Sequence, residues 1–186
     1  VKVNAFKLVS TFDVSQTDGK ELPCLGAEEL TGGVDGYGTF LEALKEVCPV
    51  PMTFENIEGG AKGFYSQAEK RIAIQEGMSE AQTVKTAIHE MAHQKLHAIE
   101  NNGPKQTRGS KEVEAESVAY TVCQHYGIDT SDYSFSYVAG WSEGKEMPEL
   151  KASLDTIRRA ASEMITAIDG KVEELVAQKT QEQIAE

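Results

Sequence analysis

The segment His89-Glu90-Met91-Ala92-His93 holds the side chains best suited to chemistry. Two histidines four residues apart stand on one face of a helix, where both imidazoles can reach a single metal ion. Glu90 lies in a neighbouring direction, beside the position of a water on that ion. Neutral imidazoles bind Zn²⁺ without cancelling its charge, and the ion lowers the pKa of a coordinated water to about 7. A glutamate so placed takes a proton from that water and passes it on to a leaving amine. Such a site needs a third protein ligand. The candidates are Glu112, Glu114 and Glu116, in Lys111-Glu112-Val113-Glu114-Ala115-Glu116-Ser117-Val118-Ala119. At 100° per residue the apolar centre of a helix here falls near Ala115, Val118, Ala119, Val122 and Tyr126. Glu112 and Glu116 flank that stripe and share a face, so either can reach inward, while Glu114 is expected to point to solvent.

These residues need helices to carry them. Ser79-Glu80-Ala81-Gln82 matches a capping box, predicting a helix over 79–97 with Ser79 capping a backbone N–H and Gln82 reaching back. On it, Val84, Ile88, Met91 and Lys95 lie roughly opposite His89 and His93, which separates a core stripe from a metal face. Asn101-Asn102-Gly103-Pro104 breaks the helix, and a second is predicted over 111–126, stopped by Gly127. Upstream, Phe40, Leu41, Leu44 and Val47 mark a helix over 39–47, ended by Cys48-Pro49-Val50-Pro51. Residues 52–57 are strand-like, and 63–66 with 70–75 read as a hairpin. Downstream of a loop-like stretch over 128–147, Leu150, Leu154, Ile157, Ala161, Met164 and Ile168 form one apolar seam on a helix from about Pro148. Asp169-Gly170 is expected to interrupt it, leaving 171–186 polar and frayed.

The alternation at 1–10 suggests a strand, and 23–38 is rich in glycine and acidic residues. The expected organisation is an upstream domain's tail over 1–22, a linker over 23–38, a main domain over 39–170 and an extension over 171–186. The chain opens on Val1, and a longer parent is expected.

In 186 residues there are 18 Lys+Arg against 30 Asp+Glu, a net charge of −12. That balance argues against this fragment binding nucleic acid through phosphates, or an anionic membrane surface. No apolar run approaches a membrane span, and Val1 to Phe6 shows no signal peptide. The cysteines Cys24, Cys48 and Cys123 are odd in number, without a CxxC, and read as free thiols in a reducing compartment.

HExxH followed by a helix reading Glu112-Val113-Glu114-Ala115-Glu116 resembles the gluzincin metallopeptidases, whose second helix reads Glu-x-Glu-Ala-Asp or Glu-x-Glu-Ala-Asn. The resemblance makes Glu112 the zinc ligand, with His89 and His93, and Glu116 the support that orients a metal-binding histidine. Glutamate at the supporting position departs from the family's Asp or Asn and leaves the reversed assignment open. A closer similarity is to ImmA/IrrE-like peptidases and the metallopeptidase domain of ArdC-like antirestriction proteins of mobile elements. It is carried by Ile72-Ala73-Ile74, by Thr86-Ala87-Ile88-His89-Glu90-Met91-Ala92-His93-Gln94-Lys95-Leu96-His97, and by 112–120. Thr11-Phe12-Asp13-Val14-Ser15-Gln16-Thr17 also resembles the end of the ArdC-type N-terminal domain, so single-stranded-DNA binding is expected of the upstream region.

The resemblance implies an α+β, zincin-like fold: a small twisted sheet, an HExxH helix, a glutamate helix and a C-terminal packing helix. It implies a cytoplasmic zinc metallopeptidase acting on a regulatory protein, with Glu90 as general base. The alternative is an accessory interaction or antirestriction module whose metal site is structural or vestigial. Manganese or iron also suits two histidines and a carboxylate. His97 is expected as a partly exposed helix-end residue, with a role behind His93 as the alternative. His125, Tyr120, Tyr126, Tyr133 and Tyr137 are candidate oxyanion donors, each with core packing as its default role, and Trp141 is an expected core anchor. Residues 72–74 are either an edge strand that receives a peptide or an ordinary sheet strand. Substrate and oligomeric state are open.

Overall fold

A computed structural model describes residues 30–99, 106–131 and 147–185. The expected strand over 1–10, the motif at 11–17, Cys24, Tyr133, Tyr137 and Trp141 lie outside them. Among the described residues the chain is mixed α+β: helix α1 (Tyr37–Val47), strands β1 (Met52–Glu55), β2 (Gly63–Ser66) and β3 (Arg71–Gln75), then helices α2 (Glu80–His97), α3 (Arg108–His125) and α4 (Met147–Ala185). No described helix is long and apolar enough to cross a membrane.

The strands form a sheet in the order β1-β3-β2. β2 and β3 make the expected hairpin, antiparallel with Tyr65 opposite Ile72, and β1 joins parallel on the far side with Met52 opposite Ile72. β3 is therefore central. Its Ile72, Ala73 and Ile74 are fully buried and its backbone is paired on both sides, so it cannot be the strand edge that receives a peptide. The edge beside α2 is β2.

α2 runs through the middle of the body, between the sheet and α3. Ser79 caps it as expected, its Oγ accepting from the Gln82 N–H at 3.1 Å. The Gln82 side chain does not reach back. It accepts from the Leu30 N–H at 3.0 Å and donates to Thr86 at 3.1 Å. The Ser79 hydroxyl donates to the Leu30 carbonyl, and the Val34 N–H donates to Glu80 at 2.8 Å. Residues 30–36 are thereby pinned over the start of α2, and Leu30 and Val34 pack on the core. This part of the expected linker belongs to the packed body, because its backbone finds partners on α2.

The core joins Leu44 of α1, Ile72 and Ile74 of β3, Val84 and Ile88 of α2, Val118 and Val122 of α3, and Ile157, Met164 and Ile168 of α4. Helix α3 ends as expected, with Gly127 in the left-handed region at φ 71°. Helix α4 departs from expectation twice. It passes through Asp169-Gly170 and continues to Ala185. A glycine costs a helix interior about 1 kcal/mol, which packing readily offsets. Ile168 and Leu175 are buried, and Lys171 and Lys179 pair with Glu46 and Glu42 of α1 at 3.2 and 3.1 Å. The apolar seam also shifts at its start. Leu154 is 57% exposed, while Ser153 turns inward to donate to Glu114.

Candidate metal centre

A half-buried face of α2 carries the two histidines one turn apart. Their Nε2 atoms lie 3.1 Å from each other. Glu112, in the second turn of α3, brings Oε2 to 3.6 Å from the His89 Nε2 and 3.4 Å from the His93 Nε2. Among the described residues these three are the group whose donor atoms could hold a metal ion. Four-coordinate Zn²⁺ with ligands at about 2.0–2.1 Å needs donor atoms about 3.3 Å apart. The three separations straddle that value, so the donor set fits a small dication.

Glu116 is fully buried and sits on the other side of His89, with Oε2 3.0 Å from Nδ1 and 2.7 Å from the Lys85 Nζ. The geometry separates the two glutamates that the sequence left interchangeable. Glu112 faces the Nε2 atoms of both histidines, and Glu116 lies at the Nδ1 of His89. Burial opposes the Glu116 charge, yet His89 and Lys85 hold its pKa down at about 2. Burial likewise pulls Lys85 below the ordinary lysine value, against the attraction of Glu116.

Two expectations from helical spacing are overturned here. Glu114 does not point to solvent. It is 2% exposed, accepting from Gln106 at 3.0 Å and from Ser153 at 2.9 Å. His97 is not a partly exposed helix end. It is buried, with Nδ1 3.0 Å from the His93 Nδ1 and Nε2 3.2 Å from the Glu114 Oε2. The cause is that α3 is covered on two sides, by α2 and by α4, so an averaged apolar stripe misplaces its second buried flank. Were His93 Nε2 to hold a metal ion, its Nδ1–H would donate to His97 and the His97 Nε2–H to Glu114. The imidazoles of His89 and His93 are thus each backed by a carboxylate, one directly and one through a third imidazole. Burial opposes the Glu114 charge, but bonds from His97, Gln106 and Ser153 together lower its pKa.

Glu90 is buried beside the histidines. Burial raises its pKa above the ordinary carboxylate range, with His89, His93 and the Tyr65 N–H pulling the other way. Glu112 is held far below that range, first by its bond to His89 and then by His93. His89 is disfavoured as a cation by burial, but bonds to Glu112 and Glu116 lift its pKa to about 8.

Above these residues lies a groove of about 790 Å³, walled by β2 and its preceding loop on one side and the first turns of α3 on the other. Gly63 lets β2 lie this close. A Cβ there would meet the Thr86 Cγ2 at 2.7 Å and the Ala73 carbonyl at 3.0 Å, with the Glu90 Cγ at 3.3 Å. Sequence reasoning passed over Gly63, Lys85 and Gln106. For Lys85 a signal existed, since it stands four residues before His89.

Of the oxyanion candidates, Tyr126 packs edge-on against Phe40 and its hydroxyl donates to Asp169 at 2.9 Å. His125 lies 3.6 Å from Asp169. Neither they nor Tyr120 lines the groove, whereas Tyr65 does. Cys48 and Cys123 are free thiols, and burial pushes Cys123 up to about 12.

No family model matches the chain, and no solved structure matches it. An uncharacterized protein of Bacillus anthracis, pXO2-81, is 39% identical over 98 residues. That stretch covers 52% of this chain and 16% of the relative, so the chain spans a small part of that protein's length.

Proposed function

We propose that this chain is a zinc-dependent metallopeptidase domain with a zincin-like fold, working in the cytoplasm on a protein substrate. The observation that carries the reading is the convergence of His89 Nε2, His93 Nε2 and Glu112 Oε2 at the floor of an open groove, with Glu90 beside them. Three protein donors below open space suit catalysis, since a structural zinc site closes its shell with four protein ligands.

A bound dication supplies Lewis acidity and lowers the pKa of a water it holds. The chain's own residues do the rest. Glu112 and the two imidazoles hold the ion, and Glu116 and the His97–Glu114 pair fix the ring orientations from behind. Glu90 takes the proton of the attacking water. Burial raises its pKa, which favours the carboxyl form from which that proton is returned to the nitrogen as the C–N bond breaks. The Tyr65 N–H steers the Glu90 carboxylate from β2.

The test compares Glu90→Gln with the parent chain. The variant is expected to retain its zinc, measured by elemental analysis, and to lose peptide cleavage by a factor on the order of 10²–10⁴. Undiminished cleavage refutes the assigned base.

A further inference from the structure

We propose that the groove selects an acidic peptide, one bearing Asp or Glu close to the bond that lies over the metal position. Arg108 and Lys111 would receive its carboxylate from the α3 wall. The inference rests on the reading of the site as a peptidase and names its substrate class.

The charge pattern carries it. The groove is lined by Lys62, Lys85, Arg108 and Lys111 against Glu90 and Glu112. Lys85 is neutralised by Glu116. A dication would be balanced by Glu112 and Glu90. Lys62 already has a partner. Among the described lining residues the cations that remain are those of Arg108 and Lys111, on a chain whose net charge is −12. Local positive potential in a low-dielectric cleft concentrates anionic ligands.

The positions of Arg108 and Lys111 point the same way. Both stand in the opening turn of α3, which contains no acidic residue. The helix dipole disfavours cations there, by about 0.3–1 kcal/mol each. Helix α2 carries Glu80 in its first turn, where the dipole favours an acid, whereas α3 carries none there. Among the described residues neither Arg108 nor Lys111 has a carboxylate partner. Arg108 shares a face with Glu112 and lies one helical turn from it, about 6 Å along the axis. An extended peptide advances about 3.3 Å per residue, so the matching acid falls within about two residues of the reacting bond.

A nucleic acid would supply negative charge too, but as a polyanion running beyond the groove onto an acidic body. Its affinity comes from many phosphate contacts, and this surface opposes them. One or two acidic side chains meet only the local cations.

Binding decides this apart from turnover. The zinc-loaded chain is titrated with fluorescent peptides that differ only in Asp and Glu against Asn and Gln, and with a single-stranded oligothymidylate of similar length. The acidic peptides are expected to bind at least about tenfold tighter than their amide counterparts, about 1.4 kcal/mol. Arg108→Glu with Lys111→Glu should abolish that preference and favour a lysine-bearing peptide, and Arg108→Gln with Lys111→Gln should weaken it. Equal affinity for acidic and amide peptides overturns the inference whether or not any peptide is cleaved. Displacement of the acidic peptides by oligothymidylate overturns it in favour of nucleic acid. Acid-selective binding without cleavage upholds it while removing the peptidase reading.

Discussion

His89 couples the site to pH. In the metal-free chain its pKa is raised from 6.5 to about 8, so it carries a proton at neutrality. Coordination through Nε2 requires the neutral ring with its one proton on Nδ1. Below about pH 8 each ion bound must therefore expel a proton, and affinity should fall about tenfold per pH unit. The sign for folding is opposite. A raised histidine pKa stabilises the metal-free fold below 6.5, and that contribution disappears as pH rises through about 8. The gain in melting temperature on adding zinc should thus grow from about pH 6 to pH 8.5. Calorimetry with and without chelator checks it, and a gain that shrinks over this range would sink the assignment. His97 and Glu114 back His93 from the side away from Glu112, and would act through it on a bound ion. Either His97→Leu or Glu114→Gln should weaken zinc binding by about 10–100-fold. Since they act in series, the double variant should lose little more than either alone. Competition titration against a chromophoric chelator reads all three, and full additivity would show that the two residues are not one chain.

At the scale of elements, the site depends on two close approaches. β2 lies against α2 because Gly63 has no side chain to hold it off. α3 lies against α2, where Lys85, His89 and His93 meet Glu112 and Glu116. The second approach brings Glu112 to the histidines and buries the Lys85–Glu116 pair. α4 then closes the outer side of α3 and reaches back along α1. Its continuity through Gly170 has a direct test. A Cβ at Gly170 meets nothing within 4 Å, and the helix continues on both sides. Gly170→Ala should raise stability by about 0.5–1 kcal/mol in denaturant titration. A loss instead would mean that the helix breaks there.

The whole molecule is an acidic body with a basic-walled groove. With 30 carboxylate residues against 18 cations it repels itself, and the pairs that link α4 to α1 are exposed and individually weak. Raising ionic strength from about 10 to 150 mM shortens the screening length from about 30 to 8 Å. The melting temperature of the chain should rise over that interval, as screening relieves more repulsion than it removes attraction. A fall would show that the ion pairs outweigh the net charge. The same salt should weaken capture of acidic peptides at the groove.

His89, Glu90 and His93 were legible because a helix imposes a four-residue period that needs no partner, and Ser79 marked where that helix begins. The β2–β3 hairpin and the stop of α3 at Gly127 were legible for the same reason, since each is set by neighbours in the chain. What the spacing could not decide was anything set by a second element. Glu112 and Glu116 are equivalent on a lone helix, and only the approach of α2 assigns one to the Nε2 side of His89 and the other to its Nδ1. Glu114 looks solvated until α4 covers it and His97 turns to meet it. β3 could pass for an edge until β1 is seen to pair with it. Periodicity records which faces one helix or strand can offer, while burial and charge pairing belong to the surfaces that meet them, and those are chosen only when the chain is packed.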